Sequence, residues 1–155
     1  AIMKISEILK SKGHSPVAWL RPDDSLMTAM HRMKIEHIGC IIVSENGKTP
    51  LGILSVRDIV YAMASHGTDH GLPDPVATPE TQIHEVMTKK LTVCSPDDSL
   101  HDVMKEMTRW RYWNMPVMEN DVLIGVIGID DVVKHGVQEM ELEANILRDT
   151  LIRKS

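Results

Sequence analysis

PDDSL occupies residues 22–26, and the same five residues return at 96–100, 74 positions further on. One pentapeptide can recur by accident, but here its surroundings recur with it. At the same offset Met30 corresponds to Met104, Met33 to Met107, Val43 to Val117, and Glu45-Asn46 to Glu119-Asn120. One residue is then dropped in a turn, and at offset 73 Gly52 corresponds to Gly125, Asp58 to Asp131 and Val60 to Val133. Upstream, ISEIL at 5–9 resembles IHEVM at 83–87. Matches kept in this order are an internal duplication. Its period is too long for a solenoid and suits two equivalent halves that bury each other's sheets.

Each copy has the same local pattern. A short strand (17–20, then 91–94) runs into a turn whose Asp and Ser residues cap a helix. The helices are predicted over 25–36 and 99–110, with Leu26, Ala29, Met30, Met33 and Leu100, Val103, Met104, Met107 at helical spacing. Two strands follow in each copy, GCIIVS then PLGIL, and NMPVME then VLIGVIG, with turns at ENGKT and END. A second helix starts near Ser55 and near Gly128. The expected fold is α+β: two pseudo-symmetric β-α-β-β-α repeats, packed sheet to sheet, with a long C-terminal helix. The boundaries drawn are repeat one at 1–65, a Gly- and Pro-rich linker at 66–82, and repeat two with its helical extension at 83–155.

Composition narrows the class. The chain has 155 residues, 43% of them apolar and 25% charged, which is the balance of a folded globular protein. Phe is absent and only Trp and Tyr supply aromatic rings, so Ile, Leu, Val and eleven Met must fill the core. A net charge of −5 with interspersed signs argues against a nucleic-acid binder. The longest apolar run, at 122–129, falls far short of the roughly 18 residues of a membrane helix, and no secretory leader is seen. Cys40 and Cys94 sit in apolar strands without a CxxC partner, as expected for reduced thiols in a cytoplasmic protein.

The duplicated unit, with PDDSL, MPV at 115–117 and GILSVRD at 52–58, resembles a tandem pair of CBS domains, a Bateman module, over nearly the whole chain. GILSVRDIVYAMASHG and the stretch from Met107 through Leu147 are similar to small stand-alone bacterial CBS-pair proteins. The resemblance implies a cleft between the repeats that binds an adenine nucleotide such as AMP, ATP or NAD(H). It also implies pairing of modules into disc-shaped dimers.

That implication gives GILSVRD a chemical reading. Asp58 can accept hydrogen bonds from both hydroxyls of a ribose. Ser55 lies where a helix starts and can present its hydroxyl and the first N–H groups to phosphate, and Arg57 can add charge-assisted bonds. The alternative is local: S-x-x-D before an apolar run is also a capping box. The two roles are compatible. Val17, Trp19, Ile38, Gly39 and Cys40 are expected to line the same site, with Trp19 either stacking on adenine or filling core space left by the missing Phe residues. Arg111, Asn114, Met115 and Pro116 align with the family stretch that reaches toward phosphate, although Trp113 and Asn114 stand where relatives often carry Arg and His. The second copy, GVIGIDD, keeps Asp131 but has Gly128 in place of Ser55 and Asp130 in place of Arg57, so a weaker or empty second site is expected there.

Other chemistry is not supported. His66 and His70, with Asp69 and Asp74, are interrupted by Gly67, Gly71 and Pro73, and no metal site is expected. No P-loop, GxGxxG, HExxH or GxSxG motif is present, so the chain is read as a non-enzyme in which a nucleotide is sensed and not consumed. Val137, Met140, Ala144, Leu147 and Leu151 form an a/d-like stripe on the last helix, which suits either a homodimer or packing on its own module. The function expected is a regulatory sensor for an adenine nucleotide, acting on a regulated protein that the sequence does not name. The alternative is a dimerisation scaffold with a vestigial pocket.

Overall fold

Both PDDSL segments start a helix by the same device. Ser25 Oγ accepts from Thr28 N at 3.2 Å and Ser99 Oγ from Asp102 N at 3.1 Å, so each serine caps the helix that follows. The preceding aspartates close the turn: Asp24 Oδ2 accepts from Arg21 N and Asp98 Oδ2 from Ser95 N, both at 2.8 Å. The helices are α2 (Leu26–Glu36) and α4 (Leu100–Trp110). Each ends in a left-handed residue, His37 at φ 54° and Arg111 at φ 58°. Those end residues return their N–H groups to Met33 and Met107.

The computed structural model describes residues 2–13, 16–64 and 77–154. Most of the expected linker, and the histidines at 66 and 70, lie outside these residues. The remaining elements are α1 (Ile5–Ser11), β1 (Trp19–Leu20), β2 (Cys40–Ser44), β3 (Pro50–Ser55), α3 (Val56–Ala64), a 3₁₀ turn (Ile83–Glu85), β4 (Asn114–Glu119), β5 (Val122–Gly128) and α5 (Ile129–Lys154). The fold is α+β, with a three-stranded sheet in the order β1-β2-β3 and a two-stranded β4-β5 sheet. β1 runs parallel to β2, and β2 antiparallel to β3.

The predicted strand at 91–94 is reduced to a single parallel bridge, Cys94 to Val117. The reason lies in β4. In the first repeat Ile42 N donates to Ala18 O, which carries the ladder upstream. The corresponding donor in the second repeat would be Pro116, which has no N–H. Pairing stops after Cys94 N to Pro116 O and Met118 N to Cys94 O.

The chain forms two compact units that do not follow the sequence repeats. The core of one collects Leu26, Ala29, Met33, Ile41, Val43, Leu54 and Ile59 from repeat one, together with Ile83 from the start of repeat two. The core of the other collects Leu100, Val103, Met107, Met115, Val117, Ile127 and Val132, together with Ile5 and Ile8 from the N-terminal helix. The N-terminal segments of the two repeats are therefore exchanged. Equivalent hydrogen bonds hold both: Ile5 N to Asp98 O and Leu100 N to Met3 O in one unit, Ile83 N to Asp24 O and Leu26 N to Thr81 O in the other. Glycines mark the close approach. A Cβ on Gly52 would lie 2.7 Å from Met87 Sδ, and one on Gly125 would lie 2.7 Å from Leu9 Cδ2.

Candidate functional site

GILSVRD runs from β3 into α3, and the structure forms the capping box in full. Asp58 N donates to Ser55 Oγ at 3.1 Å and Ser55 N donates to Asp58 Oδ2 at 2.9 Å. A third bond comes from a residue that sequence reasoning missed: Thr88 Oγ1 donates to Asp58 Oδ1 at 3.1 Å. Thr88 is held in turn by two backbone bonds to Ile53, N to O at 2.9 Å and O from N at 3.0 Å. The local pattern gives no sign of Thr88, because its partner lies 30 positions away on the exchanged segment.

The half-buried Asp58 carboxylate is thus oriented by both of its oxygens before any ligand arrives. A carboxylate has about four acceptor positions, so these two bonds leave capacity for further donors. It sits in the first turn of α3, beside the positive end of the helix dipole. Arg57 lies next to it on the same turn, half-buried.

The neighbouring residues divide between two groups. Cys40 is paired with Ser55 across β2 and β3, and Gly39 O accepts from Val56 N at 3.0 Å, so the entry to β2 borders the loop. A Cβ placed on Gly39 would meet nothing within 4 Å, which leaves space there. Ile38 precedes it at the end of α2, half-buried. Val17 is level with Cys40 in the parallel register that pairs Trp19 with Ile42, with β2 separating it from β3. Trp19 is engaged elsewhere: its indole covers the β2–β3 turn, where a Cβ on Gly47 would come within 2.6 Å of Nε1.

Arg111, Asn114, Met115 and Pro116 belong to the other unit, at the end of α4 and on β4. Asn114 there borders the second copy of the loop, with Oδ1 3.4 Å from the Cβ position of Gly128. Met115 and Pro116 are buried, and Met115 is part of the core. The second loop keeps half of the cap: Gly128 N donates to Asp131 Oδ2 at 2.9 Å, while the hydroxyl partner is absent because residue 128 is glycine. Asp130 Oδ1 closes over that glycine, and Lys12 Nζ bonds Asp131 Oδ2 at 2.8 Å. Among the described residues no group of three or more His, Cys, Asp or Glu side chains is placed to hold a metal ion. No helix of the described residues is long and apolar enough to cross a membrane.

The family model for the CBS domain matches residues 5–65 and 83–137, which are the two copies of this capped loop and its sheet. The chain belongs to the CBS-domain family. A CBS-domain protein of known structure, ATU1752 from Agrobacterium tumefaciens, is 30% identical, with a TM-score of 0.75 over 86% of this chain and 98% of that one. The mitochondrial CBS domain-containing protein CBSX3 of Arabidopsis thaliana is 28% identical over 142 residues, 87% of this chain, which spans 65% of that protein's length. The CBS domain pair of protein MJ0100, solved in complex with 5-methylthioadenosine and S-adenosyl-L-methionine, shares the fold at 18% identity and a TM-score of 0.73.

Proposed function

We propose that this CBS pair is a regulatory module that binds an adenosine-containing ligand at the Ser55–Asp58 loop. The ligand is an adenine nucleotide of the AMP, ATP or NAD(H) type. The observation that carries this reading is Asp58: a half-buried carboxylate at a helix N-terminus, already oriented by Ser55 N–H and the Thr88 hydroxyl. A ribose diol needs a fixed double acceptor of this kind, and orientation before binding lowers the cost of ordering. The adenosine ligands of MJ0100 support the ligand class. The ligand is bound and released unchanged, and its differential affinity for two arrangements of the module alters what a regulated protein meets. Cys40 and Cys94, neither of them in a disulfide, support a cytoplasmic setting.

A second reading, a homodimerisation scaffold, is favoured by α5. Val137, Met140, Leu147 and Leu151 are all exposed along it. The two readings are compatible in one molecule, since a sensor that pairs through α5 can transmit a ligand-dependent change to its partner.

Titration calorimetry with AMP, ATP and NAD⁺ tests the sensor. Wild type is expected to bind at least one of them, and Asp58→Asn to lose about tenfold or more in affinity, because one charge-assisted acceptor is removed. Asparagine keeps an oxygen for Ser55 N–H, so the helix cap survives. Equal affinity in the two proteins would reject Asp58 as the ribose acceptor.

A further inference from the structure

We infer that Lys12 is the residue that restricts the chain to a single adenosine-type ligand, by serving as the internal partner of the second repeat's carboxylate. The inference rests on the function proposed for the first loop. In that loop Thr88 makes two contacts with neutral donors, its N–H to Ile53 O at 2.9 Å and its hydroxyl to Asp58 Oδ1 at 3.1 Å. Val126 and Asp131 are the counterparts of Ile53 and Asp58 at offset 73. One group contacts both: Lys12 Nζ donates to Val126 O at 2.9 Å and to Asp131 Oδ2 at 2.8 Å. A single ammonium has taken over the work of an amide and a hydroxyl, and it has brought a full charge with it.

The charge changes what the carboxylate can do. Asp58 is oriented by two neutral donors, Ser55 N–H and the Thr88 hydroxyl, with acceptor capacity left for the hydroxyls of a sugar. Asp131 is ion-paired, with 13% of its side chain exposed against 40% for Lys12. A sugar hydroxyl must compete there with a charge-assisted bond, which is roughly twice as strong as a neutral one. The rest of the second loop does not compensate. Asp130 Oδ1, Asn114 Oδ1 and Asp131 Oδ2 all approach the Gly128 Cβ position, an oxygen-rich surrounding that matches an ammonium and repels phosphate.

The experiment uses the full chain and unphosphorylated adenosine, which removes the phosphate penalty at the second loop. Lys12→Gln deletes the charge and keeps a neutral N–H donor on a side chain one bond shorter. Wild type is expected to bind one adenosine per chain and Lys12→Gln two. In an Asp58→Asn background, where the first loop is weakened about tenfold or more, Lys12→Gln is expected to supply one site at least tenfold tighter than that of Asp58→Asn alone. Conversely, Thr88→Lys is expected to weaken binding at the first loop by about tenfold or more. One site per chain in Lys12→Gln, no gain in the Asp58→Asn background, or full binding in Thr88→Lys would each overturn the role of Lys12. Wild type that fails to bind adenosine or nucleotide would reject the proposed function separately, while the gain or absence of binding in Asp58→Asn/Lys12→Gln would still decide the role of Lys12.

Discussion

Asp58 and Asp131 occupy the same place in the two sequence repeats and yet meet different hydrogen-bond donors. Each accepts from the N–H three residues before it, so each closes the first turn of its helix. Their other donors differ: the Asp58 carboxylate takes a threonine hydroxyl, whereas that of Asp131, whose loop lacks the serine, takes a lysine ammonium. A single side chain brought in by the exchanged segment therefore sets the electrostatics of each loop. Cys94 makes a second prediction at this scale. Burial, and after it the negative charge of Asp98, pushes its thiol from 9.0 up to about 12. In the unfolded chain the thiol ionises near 9.0, so stability from this group is intact below that pH and is lost as pH rises toward about 12. Alkylation of the native protein at pH 8 is expected to spare Cys94 while the unfolded chain reacts, and equal rates in the two states would contradict this.

At the scale of elements, α5 is the feature with the clearest unmet surface. Val132, His135 and Gly136 are buried against the second-repeat core, with Ser11 Oγ 3.2 Å from His135 Nε2. Beyond that turn the helix is exposed, with Met140 at 68%, Leu147 at 62% and Leu151 at 62%. Burying one such side chain is worth about 1.5–3 kcal/mol. The pairing proposed for α5 predicts that Leu147→Glu with Leu151→Glu shifts sedimentation from dimer to monomer without loss of helical circular dichroism. An unchanged sedimentation coefficient would assign the stripe another use. The helices α2 to α5 and the strands β2 to β5 were legible in the sequence because apolar spacing and Ser caps are local, with α2 and α4 beginning one residue after the capping serines as PDDSL implies, whereas α1 and the 3₁₀ turn were not expected. The exchange of α1 and the 3₁₀ turn was not legible, since ISEIL and IHEVM match as a pair whichever core each one joins. Thr88 and Lys12 escaped for the same reason, being 30 and 119 positions from the carboxylates they meet. The loss of the strand at 91–94 had a visible cause in Pro116, but only its register against Cys94 reveals the missing donor.

At the scale of the whole molecule, the proposed function joins a duplicated fold to a single ligand-binding loop. The duplication supplies two carboxylates at helix starts, and under the proposed function the differences at Ser55/Gly128 and Arg57/Asp130, with Thr88 bonded to one carboxylate and Lys12 to the other, leave only Asp58 suited to a nucleotide. A ligand that binds the folded chain and not the unfolded one must raise its stability, by about 2.7 kcal/mol when present at a hundredfold excess over its dissociation constant. For a domain of this size that corresponds to a shift in Tm of several degrees. The most direct measurement is therefore thermal unfolding of wild type and Asp58→Asn with AMP, ADP, ATP, NAD⁺ and NADH in excess. The proposed sensor predicts that at least one nucleotide raises the Tm of wild type by several degrees and that of Asp58→Asn by about half as much or less, since a tenfold weaker ligand adds only about 1.4 kcal/mol at the same concentration. A wild-type Tm indifferent to all five, or an equal rise in both proteins, would contradict it.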